Sequence, residues 1–259
     1  MGFKKPPVVE AWIEFRFALT QEKSLWDESA AVDLVKSHFE DFKPESFSKY
    51  ARIEVDAKTG KPNLTGVQEL FDRVRAFTDG RDLCLQAGRD VLVLNQLNKG
   101  EWPGYEPMRD AAMKAAKKYM EFRESDEPVV VAVGLHYRDV VSLPRRPGSG
   151  IKLEEWFRIY PEVPEGDFGA MSGFKFSVHL PTMCEGANVV LTTQSLPIDP
   201  GNDSELRFAI DWHVSSADRI EGVDRARQWL DSVHKGLRSS FDKAFTPECL
   251  ALFEPSKGE

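Results

Sequence analysis

The sequence predicts an α+β fold with two subdomains, each an antiparallel meander sheet backed by helices. Apolar residues alternate with polar ones in several segments of both halves, which is the pattern of half-buried strands. Amphipathic helical segments lie irregularly between these strands, and short loops join neighbouring strands in place of regular βαβ crossovers. With 259 residues, of which 41% are apolar, the chain is long enough to form a hydrophobic core without disulfides or metals.

The first predicted elements are a strand and a helix. Polar and apolar residues alternate in VVEAWIEFRFA, so one face of this strand is apolar and consists of Val9, Ala11, Ile13, Phe15 and Phe17. The following helix has an acidic first turn and apolar residues at helical spacing, which are Val32, Val35, Phe39 and Phe42. We expect this helix to end before Pro44, because proline disfavours the helix interior.

Further strands and one helix complete the N-terminal half. YARIEV is typical of a strand, and RVRAFTDGRDLCLQAGRDVLVLNQLN predicts a three-stranded meander because hairpin signals interrupt it at Asp79-Gly80 and at Gly88-Arg89-Asp90. YEPMRDAAMKAAKKYMEF is rich in Ala, Lys and Met and predicts a helix. PVVVAVGLHYRDVVSL then predicts a long strand.

A domain boundary is predicted directly after this strand. The segment PRRPGSG combines proline, glycine and serine with two arginines, which is the composition of a linker. We therefore divide the chain into an N-terminal α+β domain at residues 1–144, a linker at 145–150 and a C-terminal α+β domain at 151–259.

The C-terminal domain is predicted to contain a three-stranded meander and helices. A short amphipathic helix carries Leu153, Trp156, Phe157 and Tyr160. GFKFSVHLP, NVVLTTQSLPI and ELRFAIDWHVS are the predicted strands. A long helix follows, with Leu230 at the centre of its apolar stripe, and Thr246 caps a last short helix that begins at Pro247.

Charge, cysteine content and motifs restrict the classes of function. The formal net charge of -8 argues against general nucleic-acid binding and favours a partner with a basic surface. The three cysteines are widely separated, which predicts neither a disulfide framework nor a zinc finger. The sequence lacks the common nucleotide-binding, hydrolase and metalloprotease motifs, so we expect no cofactor. It also lacks a signal-peptide pattern and an apolar run that would span a membrane, so we expect a cytoplasmic protein that does not bind membranes.

The main candidate site is a polar face formed by two of the C-terminal strands. Alternation in ELRFAIDWHVS places Arg207, Asp211 and His213 opposite the apolar residues. His179 of GFKFSVHLP points to the same side if both strands belong to one sheet. Such a set suits a metal, an anion or a base oriented by a carboxylate. Half-exposed strands also carry mixed charges by default, so we predict a solvated recognition surface without a metal.

An alternative catalytic site lies in the segment RIEVDAK. Glu54, Asp56 and Lys58 follow the loose acid-x-lysine order of nucleases in which carboxylates hold Mg²⁺ and a lysine lies near the attacking water. A strand that runs into the turn KTGKPN explains the same residues.

Three segments resemble a sporadically distributed, uncharacterised bacterial protein family of about this length. They are the opening PPVVEAWIEFRF, the central GLHYRDVVSLP and the closing LRSSFDKAFTPECLALFE, so the resemblance spans the chain. The central strand of the family usually has Gly-Leu-Arg-Tyr followed by an asparagine, whereas this chain has His136 before Tyr137 and Asp139 at the later position. The resemblance implies a bacterial origin and a patchy distribution typical of mobile genes. It implies no established activity, cofactor or catalytic residue.

Taken together, these patterns favour a non-enzymatic protein that binds another protein or forms a homodimer, in a toxin-neutralising or phage-defence setting. Trp12, Trp102 and Tyr105 are candidate interface aromatics, although packing in the interior explains large rings equally well. A metal-dependent nuclease or other hydrolase is the first alternative. A binder of a small ligand in a cleft between the two domains is the second.

Overall fold

The computed structural model describes residues 3–20, 26–55, 62–144, 152–161, 173–180, 185–197 and 205–254. Their strands are β1 (Val8–Leu19), β2 (Phe42–Val55), β3 (Pro62–Thr78), β4 (Leu83–Gly88), β5 (Val91–Leu97), β6 (Pro128–Pro144), β7 (Lys175–His179), β8 (Ala187–Ser195) and β9 (Glu205–Ser216). These nine described strands form one sheet in the order β2-β3-β4-β5-β1-β6-β9-β8-β7. Neighbouring strands are antiparallel throughout.

The helices are α1 (Glu28–His38), α2 (Tyr105–Phe122), α3 (Val223–Ala244) and α4 (Pro247–Ala251). The Asp27 side chain caps α1 by accepting a hydrogen bond from Ala30 N, and Thr246 caps α4 by accepting one from Cys249 N. The predicted Thr246 cap is therefore confirmed. Within the described residues, no helix has the length and apolar composition that a membrane span requires.

One face of the sheet packs against α1, α2 and α3, and we call it the inner face. Ile13 of β1 lies between Leu94 of β5 and Leu135 of β6 on this face, and all three side chains are buried. The ring of Tyr119 from α2 stacks on Phe17 of β1 with 4.6 Å between the ring centroids. The stripe of α3 that faces the sheet is buried and consists of Ala226, Leu230, Val233 and Leu237. The predicted stripe of this helix is thus confirmed.

The α+β prediction is confirmed, but the described strands form one sheet where the sequence predicted two. β6 belongs to the predicted N-terminal domain, and it pairs with β9 of the predicted C-terminal domain from Gly134↔Ser215 to Pro144↔Glu205. Its other edge pairs with β1. A buried strand needs partners for its backbone groups on both edges, and β6 finds one in each half of the chain. The predicted linker at 145–150 lies outside the described residues.

Two local predictions were wrong. The helix predicted from Leu153 to Tyr160 is only a 3₁₀ turn at Leu153–Glu155. Beyond it the backbone pairs with the end of α3, since Arg158 N donates to Ala244 O and Thr246 N donates to Trp156 O. Phe42, predicted on the stripe of the first helix, instead begins β2 opposite Thr78. In both places pairing with a distant segment replaces the local helical hydrogen bonds.

Candidate functional site

A cleft of about 630 Å³ opens between the sheet, α2 and α3, and we call it the α2–α3 cleft. Its volume lies in the range of small-molecule sites in proteins, which is roughly 300 to 1,000 Å³. The sheet contributes Tyr137, Asp139 and Trp212 to its lining. Its aromatic lining residues are Phe3, Trp102, Tyr105, Tyr137, Trp212 and Phe241.

Asp139 is the buried acidic residue of this cleft. It follows Tyr137 on the inner face of β6, opposite Ile210 of β9, and is only 2% exposed. No arginine, lysine or histidine among the described residues forms an ion pair with it. Burial raises the pKa of Asp139 to about 7, although the nearby indole N–H of Trp212 acts in the opposite direction. The Trp212 nitrogen itself is buried and makes no hydrogen bond of normal geometry in the described structure.

A histidine and two tyrosines form the wall beside Asp139. The Tyr137 hydroxyl lies 3.1 Å from Nδ1 of His234, and the Tyr105 ring stacks on the His234 ring at 3.8 Å between centroids and 6° between planes. Burial lowers the pKa of His234 to about 4 and raises the pKa values of both tyrosine hydroxyls. This wall is therefore neutral at pH 7.

An ion pair between α2 and α3 holds this wall in place. The Tyr105 hydroxyl donates to Asp231 Oδ1 at 3.0 Å, and Arg109 Nη1 donates to the same oxygen at 2.7 Å. Burial raises the pKa of Asp231, but hydrogen bonds from Arg109 and Tyr105 outweigh this effect and the pKa is lowered overall. Asp231 is thus a carboxylate at neutral pH and fixes the orientation of the Tyr105 ring.

Residues 3–8 form another side of the cleft. Lys4 N donates to Glu254 O, Lys5 N donates to Phe253 O, and Pro7 O accepts from Val140 N of β6. The Phe3 ring contacts the rings of Phe241 and Phe253. The cleft therefore depends on segments that are far apart in the sequence.

The residues predicted as a polar recognition surface lie on the opposite face of the sheet, which we call the outer face. Arg207, Asp211 and His213 alternate along β9, and His179 of β7 lies in the same row as His213 with Val190 of β8 between them. The strands share one sheet, as the alignment of these side chains requires. Neighbouring strands are about 4.8 Å apart, and β7 and β9 are separated by β8. His179 and His213 are therefore about 10 Å apart and do not form a common site.

The partners of Asp211 and His213 come from β6, which the prediction did not include. Arg138 Nε donates to Asp211 Oδ1 at 2.6 Å, and Nδ1 of His136 lies 3.1 Å from Nδ1 of His213. The Trp12 ring stacks on His136 with 4.9 Å between centroids. Burial lowers the pKa of His136 to about 3 and also lowers the pKa of His213.

The prediction that the outer face is solvated was therefore only partly right. Asp211 is 5% exposed, whereas Arg207 and His179 are exposed. Asp211 lies on β9 between β6 and β8 and is paired with Arg138. The alternation of a strand predicts which face a residue lies on, but it does not predict how deeply the residue is buried.

The alternative nuclease residues fall mostly outside the described structure. Glu54 pairs with Asn63 between β2 and β3, whereas Asp56 and Lys58 lie outside the described residues. Within the described ranges, no group of three or more histidine, cysteine, aspartate or glutamate side chains is placed to hold a metal ion.

Sequence reasoning missed the α2–α3 cleft, although one signal for it was present. The inward positions of β6 read Val133, Leu135, Tyr137, Asp139, Val141 and Leu143, so a single acid interrupts an apolar series. An acid at a buried strand position is uncommon and marks a site that needs an explanation.

Comparison with known proteins adds no identity to this geometry. No protein-family model matches the chain, and no curated protein matches it. The resemblance of the opening, central and closing segments to a bacterial family therefore stays a prediction.

Proposed function

We propose that this protein binds a small molecule in the α2–α3 cleft. The observation that carries the proposal is Asp139, a carboxyl group that is 2% exposed, lines an open cleft and has no cationic partner among the described residues. Burying a carboxyl group without a partner costs folding free energy. Groups with strongly shifted pKa values in clefts are frequently functional.

The surroundings of Asp139 support a binding role. The neutral wall of Tyr105, Tyr137 and His234 is held by stacking, by a hydrogen bond and by the Arg109–Asp231 pair, which favours a preorganised cleft. Apolar and aromatic walls with a few convergent polar groups are typical of small-molecule sites. The cleft lies between helices and sheet, whereas the sequence-based alternative placed a ligand between two domains.

A panel of low-mass compounds tests this proposal in a thermal-shift measurement on the wild type and on Glu106→Trp. Glu106 is an exposed residue at the edge of the cleft, so a tryptophan there narrows the opening without disturbing the core. We expect compounds that raise the melting temperature of the wild type and have a weaker effect on Glu106→Trp. Compounds that stabilise both proteins equally, or a panel without effect, would contradict a ligand site in this cleft.

Protein recognition through the outer face is a second candidate function. It is supported by the stacked rings of Trp12 and His136, which lie on the face opposite α1, α2 and α3, and by the exposed side chains of Arg207 and His179 nearby. Aromatic and arginine side chains are common at interface centres. The partner in this proposal is another protein or a second copy of the chain.

Light scattering and affinity capture test the second candidate. The double variant His179→Glu and Arg207→Glu introduces two carboxylates at exposed positions, so its fold should be unaffected. We expect loss of a dimer, or of a stoichiometric partner captured by the wild type. A wild type that is monomeric and captures nothing would count against this role.

The cytoplasmic location, the toxin-neutralising or phage-defence setting and the nuclease alternative are proposals that the cleft does not address. Incubation with DNA and RNA in Mg²⁺ tests nuclease activity, and any cleavage must be lost in Asp56→Ala.

A further inference from the structure

We infer that the ligand of the α2–α3 cleft is planar and presents a nitrogen-rich edge, such as an amidinium, a guanidinium or an amino-heterocycle, whose N–H groups donate to Asp139. This inference rests on the proposed function, since it names the chemical class of the ligand in the same cleft.

Asp139 differs from the other buried aspartates in the described residues. Asp126 is paired with Arg123 at 2.8 Å, and Asp211 is paired with Arg138 at 2.6 Å. Asp139 is as deeply buried as these two, but no arginine or lysine among the residues that the structure describes is paired with it. The indole N–H of Trp212 is the donor near Asp139, and it carries no charge to balance the carboxylate. A cationic partner for Asp139 can therefore come from a ligand.

The cations near the cleft do not take this role. Lys5 pairs with Glu254 at 2.5 Å, and Lys4 and Arg238 are exposed. None of the three forms an ion pair with Asp139. A cationic group of a ligand would therefore meet a carboxylate that the protein itself leaves uncompensated.

The groups that face Asp139 from the neighbouring elements do not repel a cation. Tyr137 on β6 and His234 on α3 are neutral at pH 7, because burial raises the pKa of the tyrosine and lowers that of the histidine. Glu106 at the start of α2 adds a negative charge at the rim, and Asp211 adds one behind β6. These charges favour a cation, and Arg238 and Lys4 at the rim oppose it only partly.

The walls of the cleft favour a planar ligand. The stacked rings of Tyr105 and His234 line the space together with the rings of Trp102, Trp212 and Phe241. Guanidinium and other planar cations bind well to aromatic faces, and their paired N–H groups match the two oxygens of a carboxylate. Planarity and paired donors are therefore recognised by different parts of the same cleft.

Three probes of equal shape separate the possible ligand classes by titration calorimetry with the full chain. Benzamidine is a planar cation, benzamide is neutral and benzoate is an anion. We expect benzamidine to bind the wild type most tightly and Asp139→Asn to weaken that binding by about ten- to a hundredfold, the range for a hydrogen-bonded charge. Asp33→Asn makes the same change at an exposed position of α1 and should leave the affinity unaltered.

A second readout is the dependence on pH. Benzamidine requires the ionised form of Asp139, so its affinity should increase from pH 6 to pH 8, and binding at pH 6 should release a proton. Asp139→Asn should show neither effect. This signature separates direct contact with the carboxyl group from a structural effect of the substitution.

The outcomes distinguish this inference from the proposed function. Benzamide or benzoate binding as tightly as benzamidine, with loss of binding in Glu106→Trp, would overturn the ligand class and leave the cleft as a binding site. Benzamidine that binds Asp139→Asn as well as the wild type, or does not bind at all, would also overturn the inference. If no compound of the panel changed the melting temperature, both the inferred ligand class and the proposed binding function of the cleft would be overturned.

Discussion

Arg138 and Asp211 face each other across β6 and β9 on the outer face and are joined by two hydrogen bonds of 2.6 and 3.3 Å. The next residue of β6, Asp139, points to the inner face and has no such partner among the described residues. One pair of strands thus carries a paired carboxyl group on one face and a carboxyl group without a cationic partner on the other. The two aspartates should respond to substitution in opposite ways.

Asp139→Asn should stabilise the protein above pH 7. The pKa of Asp139 is about 7 in the folded protein and ordinary in the unfolded chain, so the folded state binds more protons between about pH 4 and pH 7 and loses stability as the pH rises through this window. Urea unfolding at pH 8 should show a gain on the order of 1 to 4 kcal/mol for the variant. The gain should disappear near pH 4, and a variant that is less stable at pH 8 would show that the carboxylate has a partner.

Asp211→Ala should destabilise the protein by about 1 to 3 kcal/mol, because it removes charged hydrogen bonds from a buried position. Arg138 is 43% exposed and reaches solvent, which keeps the loss below that of a fully buried pair. Denaturant unfolding of Asp211→Ala, Arg138→Ala and the double variant measures the coupling between the two side chains. Additive losses would mean that the pair contributes nothing to stability.

Leu230→Ala should cost about 2 to 5 kcal/mol of unfolding free energy. Leu230 is fully buried in the stripe of α3, so truncation removes apolar burial and leaves a cavity. Arg225→Ala, at an exposed position of the same helix, serves as the control and should change stability by less than about 0.5 kcal/mol. Equal losses of stability in the two variants would mean that the buried stripe was assigned to the wrong side of the helix.

Acid should destabilise the protein through His136. Its pKa is lowered to about 3 by burial and by His213, so the folded state binds fewer protons than the unfolded chain between about pH 3 and pH 6.5, and stability falls as the pH is lowered through this window. His136→Phe keeps a ring against Trp12 and removes the titrating group. Thermal melting at pH 7 and pH 5 should therefore show a smaller acid-induced decrease in the variant, and an unchanged decrease would assign acid sensitivity to other groups.

The two predicted domains should not fold separately. β6 and β9 pair from Gly134↔Ser215 to Pro144↔Glu205. A fragment of residues 1–144 therefore leaves one edge of β6 without its partner, and a fragment of residues 151–259 leaves β9 without β6. Co-expressed fragments with different tags should purify together. Independent cooperative melting of each fragment would restore the two-domain division.

Local patterns in the sequence determined most of the helices and strands, although not the turn at Leu153–Glu155 or the start of β2 at Phe42. Alternation identified β1 and the faces of β9, and helical spacing identified the buried stripe around Leu230. Thr246 before Pro247 identified the start of α4. These features depend on residues a few positions apart. Each can therefore be recognised in a short segment of the sequence without knowledge of the rest of the chain.

Only the tertiary structure decided which segments meet. The pairing of β6 with β9 joined both halves into one sheet, supplied Arg138 to Asp211 and His136 to His213, and left Asp139 under α3. The α2–α3 cleft likewise combines residues 3–8, the start of α2, two strands and α3. Strand order, burial and the partner of a charged group depend on contacts between distant segments, and the spacing of residues within a segment contains no information about them.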